Sequence, residues 1–203
     1  MTFIELISVI VIVAILTMIA MTMFSENKLT AAADKLVTDI KYTQHLAVME
    51  DRYTPGDADW EKRRWRIHLD TTGDKSYTIF KVDSASAIFT APTTIDDIAS
   101  NPMTNGRLSG GFAGVPGLSG DQITDEMKLS YQDANTITFG GSCAGGPSKM
   151  IGFDEMGRPY VWDTATLDFE RLVGACTITL SAEHESHCIA IDGESGYTHW
   201  CND

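Results

Sequence analysis

An α+β protein is the fold class this sequence predicts: a long N-terminal α-helix, transmembrane and then amphipathic, packed on a C-terminal antiparallel β domain. Three observations predict it. Leu6 to Phe24 form one apolar run with no charged residue, glycine or proline. From Ser25 the chain continues at helical spacing, with no breaker until Pro55-Gly56. Beyond Arg63 the texture becomes short β-branched and aromatic runs, separated by turn residues.

The first run meets the roughly 20 apolar residues that a spanning helix needs. Its β-branched residues do not argue against a helix, because in lipid the backbone must satisfy its own hydrogen bonds. It does not read as a cleaved secretory signal. No Lys or Arg precedes Lys28, and no small-residue cleavage pattern closes the run. From Ser25 to Met49, Leu29, Ala33, Leu36, Ile40, Thr43 and Ala47 form one stripe, with charges on the opposite face. One continuous helix over this length would be about 75 Å long at 1.5 Å per residue. The expected organisation is a helix over residues 1–52, with 1–24 as membrane or filament core and 25–52 amphipathic. A β domain follows over 53–203, with a long loop region at 83–122.

Glu5 is the one acid at the head of the apolar run. An unpaired carboxylate in an apolar medium costs at least about 2.5 kcal/mol, so it calls for a cation. The nearest candidate is an α-amino group. If Met1 is the mature N-terminus, then in a homopolymer Glu5 of one subunit would neutralise the Met1 amine of the next and set axial register.

In the β region, Arg63 to Leu69 and Ser76 to Val82 read as a hairpin around the turn Thr71–Lys75. Asp83 to Gln122 is rich in Ser, Thr, Ala, Gly and Pro and reads as surface loops, with a short helix near Ile95 to Ala99. Further strands are expected at Lys128 to Gln132, Thr136 to Phe139, Lys149 to Phe153, Pro159 to Trp162, Cys176 to Ser181, His187 to Asp192 and Tyr197 to Trp200. Turns at Asp133–Asn135 and Asp154–Gly157 join them, and short strands with tight turns argue for antiparallel pairing.

The 203 residues suffice for a packed core, and the formal net charge of -13 disfavours a grip on phosphate backbones. The four cysteines, Cys143, Cys176, Cys188 and Cys201, lack zinc-ligand spacing and suggest two disulfides. Four cysteines permit three connectivities, which sequence alone does not resolve. A Cys188–Cys201 bridge is preferred because it would pin the last strand, worth about 3 kcal/mol in the chain-entropy picture. It would leave Cys143 with Cys176.

No nucleophile elbow, dinucleotide fingerprint or phosphate loop occurs, so no enzyme is expected and no catalytic residue is assigned. His184 and His187, beside Glu183 and Glu185, read as a solvated hairpin tip rather than a metal site. No cofactor is expected, although Asp70–Asp74 and Asp121–Glu126 are acidic enough to be weighed as calcium loops without matching an EF-hand. The basic cluster Glu61 to Arg66 reads as an answer to the acidic surface of a neighbouring subunit rather than as a phosphate site.

The opening M-T-F-I-E-L-I-x-V-x-x-x-x-A-I-L resembles the mature N-terminus of type IV pilins and type II secretion pseudopilins, with Glu at the fifth position. The stretch AADKLVTDIKYTQHLAV is similar to the second helical half of the GspH/FimT-like minor pilins and pseudopilins. MIGFDEMGRPY is similar to that group's F-D-x-x-G-R strand–turn–strand. The chain departs from the family in having Ala14 and Thr22 where glycine and proline are usual. The resemblance implies a pilin fold, a prepilin peptidase cut before Met1, N-methylation of Met1, and polymerisation driven by pilus or secretion assembly machinery. It implies a single-pass protein of the bacterial inner membrane before assembly and an extracellular filament at the cell surface after it. Adhesion, motility or secretion would follow from the filament. The expected function is thus a structural subunit of a pilus-like filament. The alternatives are a minor pseudopilin of a type II secretion system, or a minor pilin acting as tip adhesin or in DNA uptake.

Overall fold

The computed structural model describes residues 3–25, 28–50, 53–83, 88–111, 123–145 and 148–201. Among these, the α-helices are α1 (Phe3–Ser25) and α2 (Lys28–Met49). The strands are β1 (Arg66–Asp70), β2 (Ser76–Phe80), β3 (Thr136–Gly141), β4 (Ser148–Phe153), β5 (Pro159–Asp163), β6 (Asp168–Arg171), β7 (Cys176–Ser181), β8 (Ser186–Ile191) and β9 (Thr198–Trp200). They form a five-stranded sheet ordered β2-β1-β4-β5-β6 and a four-stranded sheet ordered β3-β7-β8-β9. Every pairing is antiparallel. The chain leaves the second sheet after β3, lays three strands into the first, and returns as β7.

The fold class expected from sequence is corrected by this arrangement. In place of one long helix packed on a β domain there are two helices and two antiparallel sheets, and the chain is mostly β. Among the described side chains of the two helices, those of α2 alone form a buried face; residues 3–18 of α1 are exposed and take no part in the core. Among the described residues, no helix is long and apolar enough to cross a membrane. This overturns the transmembrane assignment of residues 1–24. It also overturns the localisation built on it, a single-pass inner-membrane protein later carried to the cell surface.

α2 forms because its apolar residues recur every three or four positions. Leu29, Ala33, Leu36, Ile40, Thr43 and Ala47 are all buried. They meet Ile67 and Leu69 of β1, Ile151 and Phe153 of β4, and Ile178 and Ile189 of the second sheet in one cluster. The helix therefore closes the gap between the two sheets. The opposite face of the five-stranded sheet carries a second cluster around Phe80, Met150, Trp162 and Phe169.

Two local expectations change. Lys128 to Gln132 is a pair of 3-10 turns, Asp125–Met127 and Leu129–Gln132, not a strand. The amides of Leu129 and Ser130 both donate to the Lys75 carbonyl, which breaks any ladder there. The segment read as surface loop is in part core. Ile98, Ala99, Leu108 and Ser109 are buried, and single bridges tie Ile98 to Phe80 and Ser109 to Thr78. This stretch covers the edge of β2 that would otherwise be open to pairing with another chain.

His68 on β1 gives the fold a pH dependence. Burial pushes its imidazole below the ordinary 6.5, with Asp70 opposing the shift. The unfolded chain therefore takes up this proton first as pH falls. The stability involved is complete above 6.5 and is lost as pH falls towards the lowered folded value. Denaturant unfolding at about pH 7.5 and about pH 5.5 measures the loss, and His68→Gln should reduce it.

Candidate functional site

α1 presents its side chains to the outside. Phe3 is 80% and Met18 75% exposed, and Ile4, Ile10, Ile12 and Leu16 lie between them, each more than half exposed. The polar groups on this stretch turn inward to the helix itself. Ser8 Oγ donates to the Glu5 carbonyl at 2.9 Å, and Thr17 Oγ1 to the Val13 and Ala14 carbonyls at 3.0 and 2.9 Å. What remains on the surface is apolar except for the Glu5 carboxylate. An exposed apolar area of this extent marks an interaction surface. The helix runs unbroken through Ala14 and Thr22, as the missing breakers predict. Met1 lies outside the described residues, so the expected pairing of its amine with Glu5 is not seen here. Glu5 itself is in the first turn of α1 and exposed.

Behind this surface, α2 is locked to two turns by one side chain. Gln44 Nε2 donates to the Gly157 carbonyl at 2.8 Å and to the Ser195 carbonyl at 2.9 Å. The first turn is the F-D-x-x-G-R element. Asp154 is buried, and its Oδ1 accepts from the Met156 and Arg158 amides at 3.0 and 2.8 Å. Its Oδ2 takes the Arg158 Nε at 2.7 Å. Gly157 has φ 77, and a Cβ there would lie 2.9 Å from Gln44 Nε2. The glycine thus supplies both the left-handed turn and the space for the glutamine. The second turn is held by Asp192. Hydrogen bonds from the Ser195 amide and hydroxyl and the Glu194 amide keep its carboxyl below the usual carboxylate range. The Gln on the helix and the F-D-x-x-G-R turn, distant in sequence, are in direct contact.

A buried polar network sits deeper under α2. Lys35 Nζ donates to both oxygens of Asp39, at 3.0 and 2.8 Å, and the Tyr77 hydroxyl donates to Asp39 Oδ2 at 2.7 Å. Burial, then the Asp39 charge, pushes the Tyr77 phenol well above its ordinary value, so it stays a donor. Tyr42, shifted the same way, donates to the Ser100 carbonyl at 3.0 Å. These contacts join helix, sheet and the covering segment. They orient no nucleophile and are structural.

The cysteines form two disulfides, Cys143–Cys176 and Cys188–Cys201, with Cα separations of 5.1 and 5.3 Å. This is the pairing preferred from the strand-pinning argument. His187 Nε2 lies 2.5 Å from Glu185 Oε1 and 3.1 Å from Thr30 Oγ1, so the hairpin tip is a contact with the start of α2. Among the described residues, no group of three His, Cys, Asp or Glu side chains is placed to hold a metal ion. Of the acidic stretches weighed for calcium, Asp70 uses its Oδ1 to cap Thr72, while residues 121–122 lie outside the described residues.

The basic cluster is where sequence reasoning missed most. Arg63, Arg64 and Arg66 are all buried. Arg63 Nε binds Asp57 at 2.9 Å and its Nη1 binds the Asp83 carbonyl at 2.5 Å. Arg66 is fully buried, and its guanidinium donates to the carbonyls of Arg64, Phe89 and Lys62. The rings of Phe80 and Phe169 lie 5.5 and 4.8 Å from it. These arginines brace the second apolar cluster rather than forming a charged face. The aromatic residues interleaved with them, Trp60 and Trp65, were the available signal.

Comparison with known proteins identifies no relative: no family model, curated protein or solved structure matches the chain.

Proposed function

We propose that this chain is a structural subunit of a type IV pilus-like filament, a member of the pilin and pseudopilin group, and not an enzyme. It polymerises with copies of itself through its N-terminal hydrophobic helix. The carrying observation is α1: a helix of 23 residues whose described side chains, residues 3–18, are exposed and mostly apolar, with a carboxylate in the first turn. Such a surface is stable in water only when covered, and other copies of the same helix cover it. Glu5 is then compensated by the Met1 amine of the neighbouring subunit. Processing before Met1, N-methylation there and dedicated assembly machinery belong to this reading through the sequence resemblance. A second reading, a minor pseudopilin of a type II secretion system, draws on the contact between Gln44 and the Asp154–Gly157 turn. Those are the two elements that carry the GspH/FimT-like resemblance.

The test is Glu5→Ala in the cells that make the native protein, with filaments counted by electron microscopy and subunit measured by immunoblot. The expected result is an unchanged amount of subunit and at least about a tenfold drop in filaments, the equivalent of 1.4 kcal/mol. Filaments in native numbers would remove Glu5 from assembly. If native cells make no filaments and the substitution instead blocks release of a secreted enzyme, the pseudopilin reading replaces this one.

A further inference from the structure

The segment that covers the β2 edge doubles back through a turn, closed where Ser100 bridges Arg107. Asn105 and Gly106 lie in that turn, and both are exposed. Two backbone bonds hold it: the Asn101 amide donates to the Gly106 carbonyl, and the Asn105 amide to the Asn101 carbonyl, each at 2.8 Å. The Asn101 side chain adds a cap on the Met103 amide at 2.9 Å. Asn105 has φ 58, in the left-handed region that asparagine tolerates. Among the described residues, no hydrogen bond holds its side chain.

An asparagine side chain can be attacked by the backbone nitrogen of the following residue. The attack needs an uncrowded nitrogen and a chain free to rotate, and glycine supplies both. The Gly106 amide is tied only to Thr104 Oγ1, at a long 3.4 Å. No other asparagine of the chain precedes a glycine. Asn101 precedes Pro102, which has no N–H to lose, and Asn135 precedes β-branched Thr136 at the start of β3. The related pair Asp192–Gly193 is closed to the reaction. Its carboxylate is held by Glu194 and Ser195, and Gly193 is buried.

We propose that Asn105 is a self-modifying site whose product loosens the cover over β2. The Gly106 amide gives its proton to hydroxide, and its nitrogen bonds to Asn105 Cγ. The Cγ–Nδ2 bond breaks, and the departing nitrogen takes a proton from water and leaves as ammonia. Water then opens the cyclic imide at one of its two carbonyls. One opening gives aspartate. The other gives isoaspartate, in which the main chain runs through the former side chain and gains a methylene. That methylene falls between the Asn105 amide and the Gly106 carbonyl, the two groups that Asn101 binds, so both bonds cannot keep their register. The strain passes to the next pair inward, the Leu108 amide on the Ala99 carbonyl at 2.8 Å, which lies directly against Ile79 of β2.

The experiment incubates the full chain at mildly acidic and mildly alkaline pH and follows it by peptide mass mapping. The exchange of an amide NH₂ for OH should accumulate fastest in the peptide holding Asn105, at a rate that rises with hydroxide. Gly106→Ala should slow it at least about tenfold, equivalent to 1.4 kcal/mol in the barrier. This variant should fold, because the new Cβ would meet only the end of the Thr104 side chain, at 3.4 Å. Hydrogen exchange of the aged native chain should show lost protection at Asn105 and Leu108, while the equally aged variant keeps it. The proposal is overturned if Asn105 stays unmodified, if Asn135 converts as fast, or if Gly106→Ala converts at the native rate. Modified chain with native protection at Leu108 also overturns it. Filament formation plays no part in either readout.

Discussion

Leu36→Ala lowers the unfolding free energy by about 2–5 kcal/mol, the range for deleting a large aliphatic side chain from a packed core. Leu36 has no exposed surface and lies at the middle of the α2 stripe, between the two sheets. Part of the loss is the transfer free energy of the removed methyl groups, about 0.8 kcal/mol per CH₂-sized group. The rest depends on how far the cavity collapses. Collapse is limited here because the helix is fixed at two heights. Asp39, at the middle of the helix, binds Tyr77, and Gln44, further toward its C-terminal end, bridges two turns. A value near the upper end of the range is therefore expected. Urea unfolding checks it: the midpoint should fall with little change in slope. A loss under about 1 kcal/mol would mean that α2 is not the common element of the core.

Arg66→Met lowers stability by about 3–5 kcal/mol. Met keeps most of the volume but none of the donors, so the carbonyls of Arg64, Phe89 and Lys62 lose the guanidinium. Hydrogen bonds from a charged group contribute about 1.5–3 kcal/mol each, against the cost of desolvating the cation. Two further effects separate this variant from Leu36→Ala. The residues 62–66 and Phe89 should lose amide protection before the α2 core does. Arg66→Lys should not restore the native value, because one ammonium cannot span three carbonyls in a plane. If Arg66→Met instead leaves stability unchanged, desolvation cancels the bonds, and the cluster fixes geometry without adding free energy.

How much of this was legible in the sequence depended on whether periodicity governed the segment. The α2 stripe could be read because one face of that helix is buried along its whole length. The β1–β2 hairpin could be read from alternation around a glycine turn. β6 was missed: Asp168–Arg171 has Phe169 as its one buried side chain, too little alternation to stand out. The covering segment around Ile98 and Leu108 was missed because its contacts with β2 are isolated bridges in irregular backbone, which leave no repeat. The Lys128–Gln132 error came from alternating apolar residues whose amides are claimed by Lys75. At the N-terminus, apolar length suggested a membrane span, and composition held no information on whether that surface meets lipid or protein. The fate of the arginines was hidden for a general reason: charged residues are mostly exposed, so burial of three in four positions contradicts the best prior.

The bridge between Cys143 and Cys176 spans 33 residues, and those residues include all of β4, β5 and β6. Three of the five strands of one sheet therefore hang on a loop that sulfur closes at the rim of the other sheet. Under tension along the chain, as in a fibre pulled from its ends, load entering through β3 passes directly to β7. The enclosed strands lie outside this covalent path and feel load only through their pairing, as of β4 with β1. At about 3.5 Å per residue, roughly 115 Å of contour stays locked behind that bridge, and roughly 45 Å more behind the 13-residue loop of Cys188–Cys201. A subunit stretched in an oxidising medium can yield only through α1, α2 and the strands outside the loops. Its extensibility is set by the redox state of two bonds and not by the number of residues it contains.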